Sequence, residues 1–358
     1  MNSATMRFEE ILRASRERGA SDVHLSSGEA PVLRIDGVLH RRSEAIIGSD
    51  EIEAFIASYM DERLKRDLFT KGNCDVVLRR ADLGTLRLHV FKTVRGMHCA
   101  VRIFPCAVPP LGSLDLPPVI EDLAARQAGL LLIVGPAGSG KTTLLAAIVD
   151  RLNETRACNV ITVEDPIEYL HSSKRCVISQ GEVGRDAPDF PTAVYGALRA
   201  DPDVIVIGEA RDTDSLKSTL LAAETGHLVL VSLHTRNAPQ ALERIVDSFP
   251  VDGREQVRIQ LAQTLAGVIA LRLVARAGGK GRRAAVEILI ATDAVRNLIR
   301  EGKTHQLRSV MQTGRNVAMQ TLEMHLRDLV RRREITAATA VGAALHPTEL
   351  DFSGEGVA

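Results

Sequence analysis

Residues 135 to 143 read Gly-Pro-Ala-Gly-Ser-Gly-Lys-Thr-Thr and follow an unbroken apolar run from Leu130 to Val134. This arrangement restricts the fold sharply. A buried strand must run into a glycine-rich turn, and a helix must start there, for such a loop to close around phosphate. Gly135, Gly138 and Gly140 let backbone N–H groups turn inward without Cβ clashes. Pro136 and Ser139 complete the turn, and Lys141 is aimed at the β- and γ-phosphates. Thr142 offers a hydroxyl to magnesium, and Thr143 follows it into the helix. At average residue frequencies about one chain in a hundred of this length would carry the core pattern by chance. The expected ligands are therefore ATP and Mg2+.

Three further apolar runs end in chemically useful groups. Residues 160 to 163 lead into Glu164, residues 204 to 207 into Gly208 and Glu209, and residues 228 to 233 into His234. Short apolar runs separated by helical patterns predict a doubly wound α/β sheet. In such sheets the carboxyl ends of the strands line the ligand crevice. Glu164, Glu209 and His234 are expected to converge on the nucleotide. Glu209 is the candidate magnesium-shell carboxylate, Glu164 the candidate for the attacking water, and His234 a γ-phosphate sensor. His227, at the start of the same run as His234, is read either as a nucleotide contact or as a structural histidine.

Residues 105 to 118 hold five prolines, which forbid a continuous helix or a central strand. They divide the chain into an N-terminal α+β domain (1 to 104), a proline-rich linker (105 to 118), a nucleotide-binding domain with C-terminal helices (119 to 345) and a flexible tail (346 to 358). In the first domain, Phe8, Ile11, Leu12 and Ser15, then Ile52, Phe55, Ile56 and Tyr59, have helical spacing. Asp36 and Gly37 mark a hairpin turn. Strands are expected at 74 to 78, 85 to 91 and 99 to 104. Beyond about residue 239 the chain reads as helical, with residues 276 to 283 forming a glycine-rich basic hairpin tip.

The 358 residues carry 45 basic and 45 acidic side chains, no Trp and only 3% aromatics. Neither the charge excess nor the stacking rings of a nucleic-acid motor are present, and no nucleic-acid partner is expected. Cys74, Cys99, Cys106, Cys158 and Cys176 have no CxxC spacing, which points to reduced thiols with structural or incidental roles. No signal-peptide core or membrane-length apolar run is visible, so a cytoplasmic location is expected.

Four of these segments together resemble the secretion-type AAA+/RecA-like ATPases of type II secretion, type IV pili and type IV secretion. The Walker A loop is residues 135 to 142. Residues 161 to 168, Ile-Thr-Val-Glu-Asp-Pro-Ile-Glu, are similar to the Asp box. Residues 198 to 212, with Gly-Glu-Ala-Arg-Asp at the end, are similar to the Walker B segment, and residues 225 to 235 to the His box. Within that family the PilT-type pilus retraction ATPases are most similar. Residues 19 to 27 and 34 to 37 resemble their PAS-like N-terminal domain. Residues 294 to 301, Ala-Val-Arg-Asn-Leu-Ile-Arg-Glu, differ by one conservative change from their AIRNLIRE motif. No cysteine lies beyond 176, whereas assembly and type II secretion ATPases usually carry a tetracysteine zinc module after the His box. Residues 180 to 186 lack the histidine usual before Arg-Asp in retraction ATPases, and Arg236 and Asn237 replace smaller polar residues.

The resemblance implies a RecA-like ATPase domain behind a PAS-like domain, a homohexamer, and ATP at the cleft between the two domains. It implies peripheral attachment to the inner membrane through a platform protein, and dealings with related motor ATPases. It also implies that Arg87 and Arg102 reach the γ-phosphate; the alternative for each is a structural ion pair. The expected function is pilus retraction, with a type II or type IV secretion motor as the alternative and a RecA-like nucleic-acid motor behind both.

Overall fold

The computed structural model describes residues 3–42, 46–80, 82–105, 107–279, 281–350 and 352. Cys106, Lys280 and the last six residues of the expected tail lie outside them. The chain divides into two units, residues 1–107 and 108–358.

The N-terminal unit is built on a six-stranded antiparallel sheet. Its strands are β1 (Ala20–Ser26), β2 (Val32–Ile35), β3 (Val38–Arg41), β4 (Asn73–Arg80), β5 (Gly84–Thr93) and β6 (Gly96–Ile103), in the order β3-β2-β1-β6-β5-β4. Ile35 pairs with Val38, and the two residues between them, Asp36 and Gly37, both have positive φ. Such a two-residue turn matches the twist of the strands that it joins. The helices Ser3–Glu17 and Ser49–Ala57 meet through stacked rings of Phe8 and Phe55, 4.6 Å apart. Leu12, Ile52 and Ile56 are buried in the same core, each contributing about 1.5–3 kcal/mol by burial.

The second unit contains β7 (Gly129–Val134), β8 (Asn159–Glu164), β9 (Val177–Glu182), β10 (Val204–Ile207), β11 (Leu228–Leu233), β12 (Leu265–Ala275) and β13 (Arg282–Ile290). Their order is β13-β12-β7-β11-β10-β8-β9, and only β13 runs antiparallel to its neighbour. Alternate residues face opposite ways: Leu130, Leu132 and Val134 enter one core, Leu131 and Ile133 the other. The helix Lys141–Thr155 packs on the second face through Leu144, Leu145 and Ile148. Helices Thr213–Glu224, Ala238–Asp247 and Arg254–Thr264 cover the first. This is a doubly wound α/β sheet with a RecA-like order, in which β11 is inserted between β7 and β10.

Three expectations change. The segment after 239 is not purely helical: β12 and β13 form a long hairpin that extends the sheet, because the buried residues of β12 pair with both β7 and β13. Residues 108–118 pack into the second unit, where Leu111 is buried and Arg283 donates to the carbonyls of Leu114 and Asp115. The segment from His346 starts with an ordered turn, Pro347–Glu349, held by the Arg308–Glu349 ion pair at 2.7 Å and by buried Leu350. Among the described residues no helix is long and apolar enough to cross a membrane.

Candidate functional site

The sheet order places three strand ends beside the glycine-rich loop. Val134 pairs with Leu233, Val231 with Ile207, and Ile207 with Val163. The next residues along β7, β11, β10 and β8 lead to Gly135, His234, Glu209 and Glu164. Sequence reasoning named all four ends, and the register brings them to one edge.

Gly135 has φ +152°, and a Cβ there would lie 2.5 Å from the carbonyl oxygen of Leu271 and from Ser139 Oγ. Only glycine allows β7 to turn this closely. Pro136 supplies its carbonyl to the loop interior, and Gly138 and Gly140 also have positive φ. Gly140 leads into the helix that starts at Lys141, whose N-terminal N–H groups and dipole favour an anion.

Lys141 is only 7% exposed. Its Nζ donates to the carbonyls of Gly135 at 2.8 Å and Pro136 at 3.0 Å, and to His234 Nδ1 at 3.1 Å. Burial depresses its pKa, against the pull of Glu209 and Glu168. Because His234 Nδ1 accepts from an ammonium, the ring proton belongs on Nε2. Nε2 then donates to Glu209 Oε1 at 3.0 Å. The other carboxylate oxygen, Oε2, accepts from Arg211 at 2.9 Å, and Arg211 also lies 3.9 Å from Asp165. Burial alone would raise the Glu209 pKa, but Arg211 and His234 outweigh it and hold the carboxyl below its ordinary value. Lys141, His234, Glu209, Arg211 and Asp165 thus form one continuous polar run.

Glu164 lies on the neighbouring strand. Its Oε1 accepts from Thr162 Oγ1 at 2.6 Å and from Gln180 Nε2 at 3.2 Å. A Cβ on Gly208 would come within 3.2 Å of Glu164 Cα, so glycine there permits the two strand ends to close up. Thr142 and Thr143 open the helix after the loop, both half-buried. The Thr143 hydroxyl lies 3.1 Å from that of Tyr169.

Two hydroxyls at this edge are buried without a hydrogen-bond partner among the described residues, Ser139 Oγ and Thr235 Oγ1. Buried polar atoms are normally satisfied, so these two suit a site that receives polar atoms from a ligand. Among the described residues no cluster of three or more His, Cys, Asp or Glu is arranged to hold a metal.

Two expectations need different treatment. His227 lies at the opposite end of β11 from His234, and its carbonyl accepts from Gly129 at the start of β7. At about 3.3 Å per residue, the strand carries it roughly 20 Å from the loop. Its ring Nδ1 lies 3.0 Å from both Thr225 Oγ1 and the Ala222 carbonyl. Within this chain these contacts suit the structural reading of His227. Arg87 and Arg102 belong to the N-terminal unit, where they are cross-strand partners on β5 and β6. Each is ion-paired, Arg87 with Asp75 at 3.1 Å and Arg102 with Asp22 at 3.0 Å.

Arg211, Tyr169 and Gln180 escaped the sequence reading. Arg211 stands two residues after Glu209 and was the most findable.

The fold and edge define a P-loop nucleotide-binding protein of RecA-like type. The Type II/IV secretion system protein family matches residues 4–346, and the chain belongs to that family. It is 40% identical over 335 residues to the type IV pilus retraction ATPase PilT of Pseudomonas aeruginosa, covering 94% of this chain and 97% of that protein. It is 37% identical to a twitching motility protein of Neisseria gonorrhoeae, over 93% of this chain and 90% of that one. Among solved structures it is similar to the pilus retraction motor PilT with bound ADP, at TM-score 0.85 and 40% identity, covering 95% of this chain and 98% of that one.

Proposed function

We propose that this chain is an ATP-hydrolysing motor of type IV pilus retraction. The observation that carries the chemistry is the run from Lys141 through His234 to Glu209 at the mouth of the phosphate loop. The pilus assignment is supported by the near-full-length similarity to retraction ATPases.

Phosphoryl transfer to water depends mainly on positioning and charge neutralisation. In this reading Gly135, Gly138, Gly140 and Ser139 cradle the phosphates. Lys141 exchanges its bonds to the loop carbonyls for phosphate oxygens. Thr142 and Glu209 would hold magnesium, which would supply Lewis-acid neutralisation of the phosphates when bound. Glu164, held by Thr162 and Gln180, orients the attacking water and accepts its proton. Departure of Lys141 from His234 Nδ1 frees that nitrogen, so His234 reports phosphate occupancy to Glu209 through the opposite side of its ring. Arg87 and Arg102 serve as charge-neutralising arginines once they leave Asp75 and Asp22. The working assembly is a homohexamer attached to the inner membrane through a platform protein, alongside related motor ATPases, with its body in the cytoplasm.

Expression in a bacterium lacking its own retraction ATPase tests this reading. Restored twitching by the wild type but not by Lys141→Ala supports it. Restored protein export without any effect on pili would move the assignment to a secretion system.

A further inference from the structure

Cys158 and Cys176 are 18 positions apart, yet their Sγ atoms lie 3.3 Å from each other. The sheet explains this. β8 and β9 are parallel neighbours whose first paired residues are Asn159 and Val177, so the cysteines stand one residue before that rung. The Val177 N–H donates to the Cys158 carbonyl at 3.0 Å, which continues the pairing to the cysteines. Adjacent strands lie about 4.8 Å apart, within the ~4.4–6.8 Å Cα separation that a disulfide spans. Cys158 is half-buried, while Cys176 is 3% exposed and donates to the Arg156 carbonyl at 3.2 Å.

We propose that Cys158 and Cys176 are a disulfide-forming pair, with Cys158 the thiol that meets a low-molecular-weight disulfide and Cys176 the thiol that resolves it. Cys158, as thiolate, attacks one sulfur of the reagent. The reagent's S–S bond breaks and one thiol leaves, carrying the proton that Cys158 lost. Cys176 then attacks Cys158 Sγ from a separation already in the range of reacting atoms, ~3–3.5 Å. The second reagent thiol is expelled with the proton of Cys176. One protein S–S bond forms, and one reagent disulfide is reduced to two thiols. Burial, then the bond to Cys176, push the Cys158 thiol up to about 12. The first step is therefore slow at neutral pH and faster as pH rises, because the thiolate is the nucleophile.

The bond closes a loop that contains Glu164, Asp165 and Tyr169. It fixes the register of edge strand β9, whose Gln180 holds Glu164. That consequence rests on the proposed role of Glu164, but the disulfide itself does not.

The test uses the full chain, reduced and then incubated with glutathione disulfide at neutral and mildly alkaline pH. Peptides are mapped by mass spectrometry without reduction. The expected result is a linked Cys158–Cys176 peptide that forms faster at alkaline pH and is reversed by dithiothreitol. Amide exchange in β9 should slow in the oxidised form. Cys158→Ser should abolish the linked peptide, and Cys176→Ser should accumulate glutathione on Cys158. Because Cys176 is buried and its variant can fail to fold, the Cys158→Ser comparison suffices alone. Both thiols remaining free, linkage to a different cysteine, or stable glutathionylation of Cys158 in the wild type would each overturn the proposal. None of these readouts depends on ATP turnover.

Discussion

His234 Nδ1 accepts a hydrogen bond from Lys141 Nζ at 3.1 Å, so the residue that closes β11 is bonded to the lysine of the loop after β7. The two are 93 positions apart in sequence. They meet because β11 is inserted between β7 and β10. The other face of the same ring reaches Glu209. A change in what Lys141 binds is thereby felt at the carboxylate proposed to hold magnesium.

Glu209→Gln separates binding from turnover. The amide can still accept from His234 but loses the charge that pairs with Arg211 and holds magnesium. ATP affinity measured in the absence of magnesium should stay within a few-fold of wild type, and kcat should fall by about 10²–10⁴. An equal loss of affinity would mean that Glu209 shapes the loop instead of serving the reaction.

Two buried groups in the second unit, Glu287 and His325, make stability depend on pH in opposite senses. Glu287 is 1% exposed and accepts from the Ala238 N–H at 2.8 Å. Burial, opposed by that bond and aided by Glu323, raises its pKa from 4.5 to about 7. Its contribution is full below pH 4.5 and is lost as pH rises through about 7. His325 Nδ1 accepts from the Val286 N–H at 2.9 Å, and burial, then Arg283, lowers its pKa from 6.5 to about 4. Its contribution is full above pH 6.5 and is lost as pH falls through about 4. Each shift corresponds to roughly 3 kcal/mol, so the two nearly cancel between pH 4.5 and 6.5. Glu287→Gln should unmask a loss of stability on acidification, and His325→Asn a gain. Denaturant melts across this range check it, and parallel curves for both variants would refute the assignment.

Arg296, within the segment that resembles AIRNLIRE, is half-buried against the neighbouring helix end. It donates to the carbonyls of Ala262, Gln263 at 2.8 Å and Leu265 at 2.9 Å, at the end of helix Arg254–Thr264. Arg296→Ala leaves these carbonyls without their partner and should cost about 1–3 kcal/mol. Calorimetry should show a lowered melting temperature, while ATP turnover at low temperature persists. Unchanged melting with lost turnover would give Arg296 a direct functional role.

The sequence made some parts legible and hid others for identifiable reasons. β7, β10 and β11 were readable because burial on both faces makes each an uninterrupted apolar run. β9 was not, since Val177–Glu182 is an edge strand with polar residues on it. β12 was hidden among Ala and Leu, which suit a helix equally well, and only its pairing with β7 and β13 makes it a strand. The helix Glu62–Lys71 buries no residue and so left little apolar pattern. In the site, the loop, Glu164, Glu209 and His234 could be named from strand ends. Gln180 could not be assigned, because its role depends on which side chains the fold brings within reach, whereas Arg211 is findable from its place two residues after Glu209. His227 and His234 share one motif but occupy opposite ends of one strand, a separation that only the fold displays.

Phosphate release from ATP by the purified full chain tests the central claim most directly, measured with and without magnesium, with and without DNA, beside Lys141→Ala. Lys141→Ala should keep the fold, as read by circular dichroism. The account predicts magnesium-dependent, DNA-independent release in the wild type and none above background in Lys141→Ala. Undiminished release by Lys141→Ala, or release that requires DNA, would contradict it.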